Sequence, residues 1–530
     1  MPKAQQELAW NLTSSIISLL STLAEAQDEI VKAISKLPTI ITFLFGLLSF
    51  DLTPAELEID ALSCLIALTE DNKPLVQQIV DNNHLLKGLI QVKDSAESKA
   101  VPACGVLHNV FTTMQWYNHN TPMEGASDAM LIPVLVQSIE MPKRNSANGH
   151  SAHSSPDQIL QLALEITASI ATSLQEALEH GSRHEEEFQG FDDDSLEIRD
   201  GMKHDDDDEV KDEDGDVEIK DKDEDMEADN RSMNSEEIDA DMEVVTGDGP
   251  DEDDSPAEEV TLDRLIRSAA PKLLELAHLS PSLEDQNIQS YALSALNNIA
   301  WTVSSIDFST GHLDSLQKFW SSLAQRIWKE IVSPVLASNT ADIELASSVT
   351  SLSWAVARSV QGVIKIQPEE QRKFMALYQA SKSLNGPGEQ NDSKKAPEEL
   401  SDAFQGLGVK AIGVLGRLAL HPAPVELNRE IGIFLLTVLA GLPDTYAADA
   451  VEAMNQLFDI YADKSFAFDE AVFWAEGFYK HLEEILPKAK NMAKGIDKRK
   501  FGELRARADE AVLNLGRFLK YKRNERNGGG

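Results

Sequence analysis

Along most of this chain apolar side chains recur at every third or fourth position, the spacing that lines one face of an α-helix. In "NIQSYALSALNNIAWTV" that face is made by Ile288, Tyr291, Ala292, Ala295, Leu296, Ile299 and Val303. The stretches "QILQLALEITASIATSLQEAL" from Gln158 and "ADIELASSVTSLSWAVARSV" from Ala341 follow the same rule. Period-two alternation closed by a hairpin turn is nearly absent, so strands are not expected. Proline or a small polar residue stands where many helices should open: "LPTII", "LTPAELE", "SSPDQIL", "AAPKLLE", "VSPVLAS" and "HPAPVEL". A proline in the first turn sacrifices no hydrogen bond, because that N–H has no partner inside the helix.

The pattern predicts roughly 17–20 helices with short connections, in units of about 40–50 residues, the period of armadillo and HEAT repeats. Related phrases recur at one place in these units: "ELAWNLTSSI", "EIDALSCLIAL", "VPACGVLHNVF", "SYALSALNNIAW" and "SSVTSLSWAVA". Small residues alternate there with Leu and Ile, as an inner helix requires where one repeat stacks closely on the next. The expected fold is all-α, an armadillo/HEAT-repeat superhelical solenoid. A large irregular helical domain is the plainer alternative; the repeat count and the lack of any strand partner favour the solenoid.

Composition and charge divide the chain further. Armadillo-like repeats are expected over 1–141, a polar linker over 142–157, a repeat helix over 158–182 and HEAT-like repeats over 261–526 with a short flexible loop at 385–397. Between them, Arg183 to Val260 holds 36 acidic against 7 basic residues, 29 of the chain's 42 net negative charges. So charged a stretch, poor in aromatics, cannot bury enough surface to offset the entropy of ordering, and a long disordered acidic insertion is expected. At the other extreme, Lys488 to Arg526 holds 13 basic and 5 acidic residues. The two cysteines, Cys64 and Cys104, offer neither a disulfide framework nor a paired metal spacing, which fits a reducing compartment. The polar N-terminal stretch does not read as a signal peptide, and the longest apolar run, Leu37 to Phe50, is short of the ~20 residues that span a bilayer.

Catalytic signatures do not surface: there is no phosphate-binding glycine loop, nucleophile elbow or zinc-protease histidine pair. His180 and His184, four apart before three glutamates, read as a solvated helix end. The acidic run fails as a calcium loop: Gly215 at the sixth position puts Val210 where an aspartate is required. No enzyme, cofactor or metal is expected.

What the pattern does offer is a binding surface. Trp10, Trp116, Trp301 and Trp354 lie in or just after inner-helix phrases, and buried aromatic anchors dominate many protein–peptide contacts, although a tryptophan at helical spacing is more often core. Importin-α grooves bind basic peptides through a ladder in which Trp is followed four residues later by Asn. Here Trp10 is followed by Ser14, Trp301 by Ser305 and Trp354 by Arg358; only Trp116 with Asn120 keeps the spacing. Asn109 and Asn298 occupy the asparagine position without the tryptophan. The groove candidates are Asn109, Trp116, Asn298, Trp301 and Trp354. In the acidic insertion the candidates are Asp205, Asp206, Asp207, Asp208, Glu209, Asp212, Glu213, Asp214, Asp223, Glu224 and Asp225, a tethered mimic of nucleic-acid charge that attracts basic proteins and disfavours direct nucleic-acid binding. A solubilising insertion without a partner, or a self-inhibitory contact with the basic C-terminal segment, are the alternatives.

An armadillo–HEAT hybrid interrupted by one acidic loop, carrying "SYALSALNNIAWTV" and "VLHNVFTTMQW", resembles the symportin family over nearly the whole chain. The resemblance implies an import adaptor and dedicated chaperone that co-carries two large-subunit ribosomal proteins of the 5S RNA particle and covers their rRNA-binding surfaces. One of them contributes an extended N-terminal peptide to the inner surface, while Asp205 to Asp229 help hold basic cargo. It further implies shuttling between cytoplasm and nucleus, and a transportin-type receptor that reads a proline–tyrosine signal near the N-terminus. No Pro-Tyr dipeptide occurs here, and the chain opens inside what reads as an inner helix, so a repeat or two and the signal are expected to precede it. A monomer is expected. Two rivals are a general importin-like transport receptor and an acidic histone-type chaperone or scaffold.

Overall fold

The computed structural model describes residues 3–140 apart from 96, 117–122 and 124–125, then 155–181, 257–278, 283–338 apart from 310, 342–384 and 403–528. The loop expected at 385–397, and nearly all of the linker at 142–157 and the insertion at 183–260, lie outside these residues. Met1–Glu179 and Asp254–Gly530 belong to one unit.

Every long element among the described residues is a helix, and none is a strand. In order they are α1 (Lys3–Ala26), α2 (Asp28–Ser35), α3 (Pro38–Leu48), α4 (Ala55–Thr69), α5 (Lys73–Asp81), α6 (Asn83–Lys93), α7 (Ala100–Met114), α8 (Ile132–Glu140), α9 (Pro156–Gly181), α10 (Ala257–Arg264) and α11 (Ala270–Ala277). Next come α12 (Leu283–Ser304), α13 (Asp314–Ile327), α14 (Ser333–Ser338), α15 (Ile343–Ser359), α16 (Glu370–Leu384), α17 (Leu407–Leu418), α18 (Val425–Ala440), α19 (Ala447–Tyr461), α20 (Phe478–Gly495) and α21 (Gly502–Gly528).

The prolines divide into two kinds. Pro38 and Pro156 open α3 and α9, while Pro54 and Pro424 sit one residue before α4 and α18. Pro271 and Pro334 do not open helices, contrary to the sequence pattern. Each comes after a π-turn, Leu265–Ala269 or Trp328–Val332, inside a helix that runs on unbroken from α10 to α11 and from α13 to α14. The residue before each proline, Ala270 or Ser333, sends its N–H five residues back, to the carbonyl of Leu265 or Trp328. Widening the turn makes room for a ring that would otherwise clash with the preceding turn.

Among the described residues nine helices stack side by side in one row, which is the core of the repeat solenoid. The helices α1, α4 and α7 pack in succession, as do α12, α15, α17, α19 and α21. Between the two runs stands α9: Ser169 meets His108 of α7, and the Thr302 hydroxyl of α12 lies 2.8 Å from the Ala171 carbonyl. All five recurrent phrases fall in this row. The other helices flank it, with α3 on α4, α5 and α6 on α7, α11 on α12, α16 on α17, α18 on α19 and α20 on α21.

On α12 the apolar face legible in sequence is the buried one: Ile288, Ala292, Ala295, Leu296, Ile299 and Val303 are all inside. Each such Leu or Ile contributes about 1.5–3 kcal/mol by leaving water. Tyr291 is half-buried and its hydroxyl accepts from the Gln161 side chain of α9 at 2.8 Å. Farther along, Asp342 caps α15 by accepting from the Leu345 N–H at 3.0 Å. The last row helix, α21, is anchored by Lys522, whose side chain is fully buried. Its Nζ lies 2.8 Å from Asp469 and 3.1 Å from Glu525, with the rings of Phe473, Tyr521 and Phe518 at 5.4, 5.6 and 6.0 Å.

Candidate functional site

The two candidate asparagines make the same arrangement at two places in the row. Asn109 on α7 donates from Nδ2 to the Ile66 carbonyl at 3.0 Å and to Thr69 Oγ1 at 3.1 Å, both on α4. Asn298 on α12 donates from Nδ2 to the Ala168 carbonyl at 3.3 Å and to Thr172 Oγ1 at 3.1 Å, both on α9. In each case a half-buried amide grips the preceding row helix near a threonine, so the amide N–H groups are engaged between repeats.

The candidate tryptophans are not all together. Trp116 comes directly after the left-handed cap Gln115 at the end of α7 and stacks on Phe111, 6.1 Å between centroids. Trp301 and Trp354 do meet, across α12 and α15, edge to face with centroids 5.3 Å apart. Both are half-buried. The Arg358 guanidinium, one turn beyond Trp354, stands 5.3 Å over the Trp301 ring. Room for this comes from α17: the Trp354 indole lies against Gly413, where a Cβ would stand 2.2 Å from Cε2.

Beyond Gly413 the strip becomes strongly charged. Arg417 pairs with Asp459 of α19 at 3.0 Å, while its Nε is buried without a hydrogen-bond partner. Glu452 on α19 is buried and accepts from Gln456 Nε2 at 2.7 Å, and burial pushes its pKa up. Partial burial, and then the neighbouring charge of Arg417, lower the pKa of Arg358. One turn toward the helix N-termini, Lys410 reaches Ser347 of α15 at 3.3 Å, and burial lowers its pKa. There too, Asp449 is buried beside Gly408, with its pKa raised to about 6. Together α12, α15, α17 and α19 bring an aromatic pair, two guanidiniums and a set of carboxylates, some of them buried, onto adjoining row helices.

Sequence reasoning did not single out Arg358, Arg417, Glu452 or Asp459. One signal was legible: the arginine four residues after Trp354, where an importin-type ladder has asparagine, is the side chain that covers Trp301.

A second constellation joins His108, Asp128 and Ser169. The His108 ring bridges Asp128 through Nδ1 and Ser169 through Nε2, both at 2.9 Å, the atom order of a serine hydrolase. Ser169, however, lies mid-way along α9, where the backbone N–H groups beside it are committed to the helix and cannot form an oxyanion hole. The bridge ties α7 to α9 and to the turn at Asp128–Met130. The acidic candidates Asp205, Asp206, Asp207, Asp208, Glu209, Asp212, Glu213, Asp214, Asp223, Glu224 and Asp225 all lie outside the described residues.

Comparison with known proteins agrees with this architecture. The family model described as SYO1-like, TPR repeats matches residues 278–526, which include the whole tryptophan–arginine strip. Symportin 1 of Chaetomium thermophilum is 46% identical over 98% of this chain and 78% of its own length. The armadillo repeat protein involved in nucleocytoplasmic transport Syo2 of Schizosaccharomyces pombe is 29% identical over 45% of this chain and 33% of its own. Synchronized import protein 1 of Saccharomyces cerevisiae is 33% identical over 22% of this chain and 19% of its own. With a symportin aligned along almost all of this sequence, the chain belongs to the symportin family.

Proposed function

We propose that this protein is a nuclear import adaptor and chaperone for basic ribosomal proteins of the 5S particle. Kinship with proteins named for import and nucleocytoplasmic transport supports the adaptor role. The observation that carries the binding mode is the Trp301–Trp354 pair with Arg358 over it, on consecutive helices of the row. Tryptophans of this kind dominate recognition because they bury large areas at little entropic cost, and arginine adds a planar fork of donors. An extended N-terminal segment of one client lies along this strip, and the carboxylates of the 183–260 insertion hold the basic, rRNA-binding surface of a client. A transportin-type receptor carries the complex, which shuttles between cytoplasm and nucleus.

The test is binding of the full chain, of Trp301→Ala/Trp354→Ala, and of a chain lacking 183–255, to the two 5S-particle ribosomal proteins and to histones across a salt series. Selective binding of one ribosomal protein that survives high salt without the insertion, and is lost in the tryptophan variant, upholds the proposal. Equal binding of histones, all of it lost with the insertion, makes the protein a general acidic chaperone instead.

A further inference from the structure

Resting on the peptide-binding reading of this strip, we infer that Arg358, with Arg417 beside it, forms a receptor for a carboxylate in the bound segment, an Asp or Glu next to an aromatic or aliphatic residue. In a protein of net charge −42 that recognises basic clients, an anion-binding point inside the binding face is not what overall charge would suggest.

Other arginines of this half are engaged by carboxylates across helices: Arg417 by Asp459, Arg372 by Glu430, Arg429 by Glu476 and Arg523 by Glu483. Arg358 keeps part of its surface in solvent while its guanidinium is partly desolvated, and it makes no ion pair among the described residues. It is nonetheless held in place, its guanidinium resting over Trp301 while Trp301 is braced edge-on by Trp354. With no ion pair of its own among the described residues, this guanidinium keeps N–H groups for a carboxylate, which arginine takes in a two-bond fork.

Three carboxylates share the neighbourhood of Arg358: Glu179, Glu452 and Asp459. None is bonded to it. Asp459 is paired with Arg417, Glu452 is buried with Gln456 as its hydrogen-bond donor, and Glu179 accepts from Gln175 at 2.9 Å. Arg417 adds a second positive charge to the neighbourhood. An incoming carboxylate therefore meets a pre-positioned fork, a second cation and two indole rings, which sets both its charge and the apolar character of its neighbour.

The experiment uses immobilised 15-residue peptides covering the two ribosomal proteins, each acidic residue also presented as its amide, probed with the full chain, Arg358→Gln and Trp354→Ala. Arg358 has no ion pair to lose and only its contact with Trp301, so Arg358→Gln should melt close to the parent. The expected result is at least one bound peptide in which Asp→Asn or Glu→Gln weakens binding to the parent about fivefold, with no such difference for Arg358→Gln. Arg358→Lys keeps the charge, loses the fork, and should fall between them. If amide and acid peptides bind alike while Trp354→Ala loses both, the carboxylate receptor is overturned and the groove reading stands. If Trp354→Ala binds every peptide as the parent does, both are overturned.

Discussion

The indole of Trp354 rests directly on Gly413 of the next row helix: a Cβ at position 413 would stand 2.2 Å from Cε2 and 2.6 Å from Nε1. Trp354 cannot retreat toward α12, because Trp301 is there at 5.3 Å. Gly413→Ala should therefore displace the tryptophan, even though alanine is the better helix former by about 1 kcal/mol. We expect a net loss of about 1–2 kcal/mol in thermal unfolding, from overpacking. Tryptophan emission should shift to the red as the ring leaves its site, and client binding should weaken. A variant that is more stable, with unchanged emission, would show that the contact yields without cost.

The paired asparagines separate two roles. Asn109→Ala deletes both donations to α4, and Asn298→Ala both donations to α9. Each should cost about 1–2 kcal/mol in denaturant unfolding. Combining Asn109→Ala with Thr69→Ala should cost less than the sum of the two single changes, since the partners share a hydrogen bond. If these amides instead serve the client segment, the single variants will keep full stability and lose affinity.

Much of the fold is legible in sequence because it is local. The face of α12 is fixed by its own spacing, and the five recurrent phrases mark row helices because close stacking demands small residues there. The readings that needed the structure depend on distant partners. Asn109 answers to residues 40 and 43 positions away, and Asn298 to residues 126 and 130 away. Pro271 and Pro334 resembled helix starts because a sequence shows the missing N–H and not the π-turn that accommodates it. Of the site, Trp301 and Trp354 were legible as residue types, but their meeting was not, and Arg358 entered only as a break in a ladder. Lys522 belonged to a segment read simply as basic, and the structure buries it.

Asp449 should leave a signature in the pH dependence of stability. Burial raises its pKa from 3.8 to about 6, and Lys382 only partly opposes this. The folded chain thus holds this proton more tightly than the unfolded chain. Stability contributed by this group is greatest at low pH, falls as pH rises from 3.8 to about 6, and stays low above that, where the carboxylate is buried charged. The difference is on the order of 3 kcal/mol, at about 1.4 kcal/mol for each pH unit between the two values. Asp449→Asn should be more stable than the parent at pH 7, and the gap should close by pH 4. A parallel pair of stability–pH curves would show that Asp449 titrates as an exposed carboxylate.

The buried Lys522 offers a sharper test of how α21 is attached. Its ammonium neutralises Asp469, which is itself buried and also accepts from Trp474 Nε1 at 3.2 Å. Lys522→Met keeps the length of the side chain but strands Asp469 without a counter-charge, and breaking a buried pair in this way costs about 3–5 kcal/mol. Lys522 also neutralises the poorly exposed Glu525 at 3.1 Å, so the compensating variant is Lys522→Met with Asp469→Leu and Glu525→Gln, which removes both stranded charges and should return most of that loss. The rings of Phe473, Phe518 and Tyr521 already provide an apolar lining for the methionine. Amide exchange should show the single variant opening first along α21 and at the π-turn Asp469–Trp474 that the anchor ties to it. A triple variant no better than Lys522→Met would mean that the ion pairs contribute through geometry that apolar packing cannot replace.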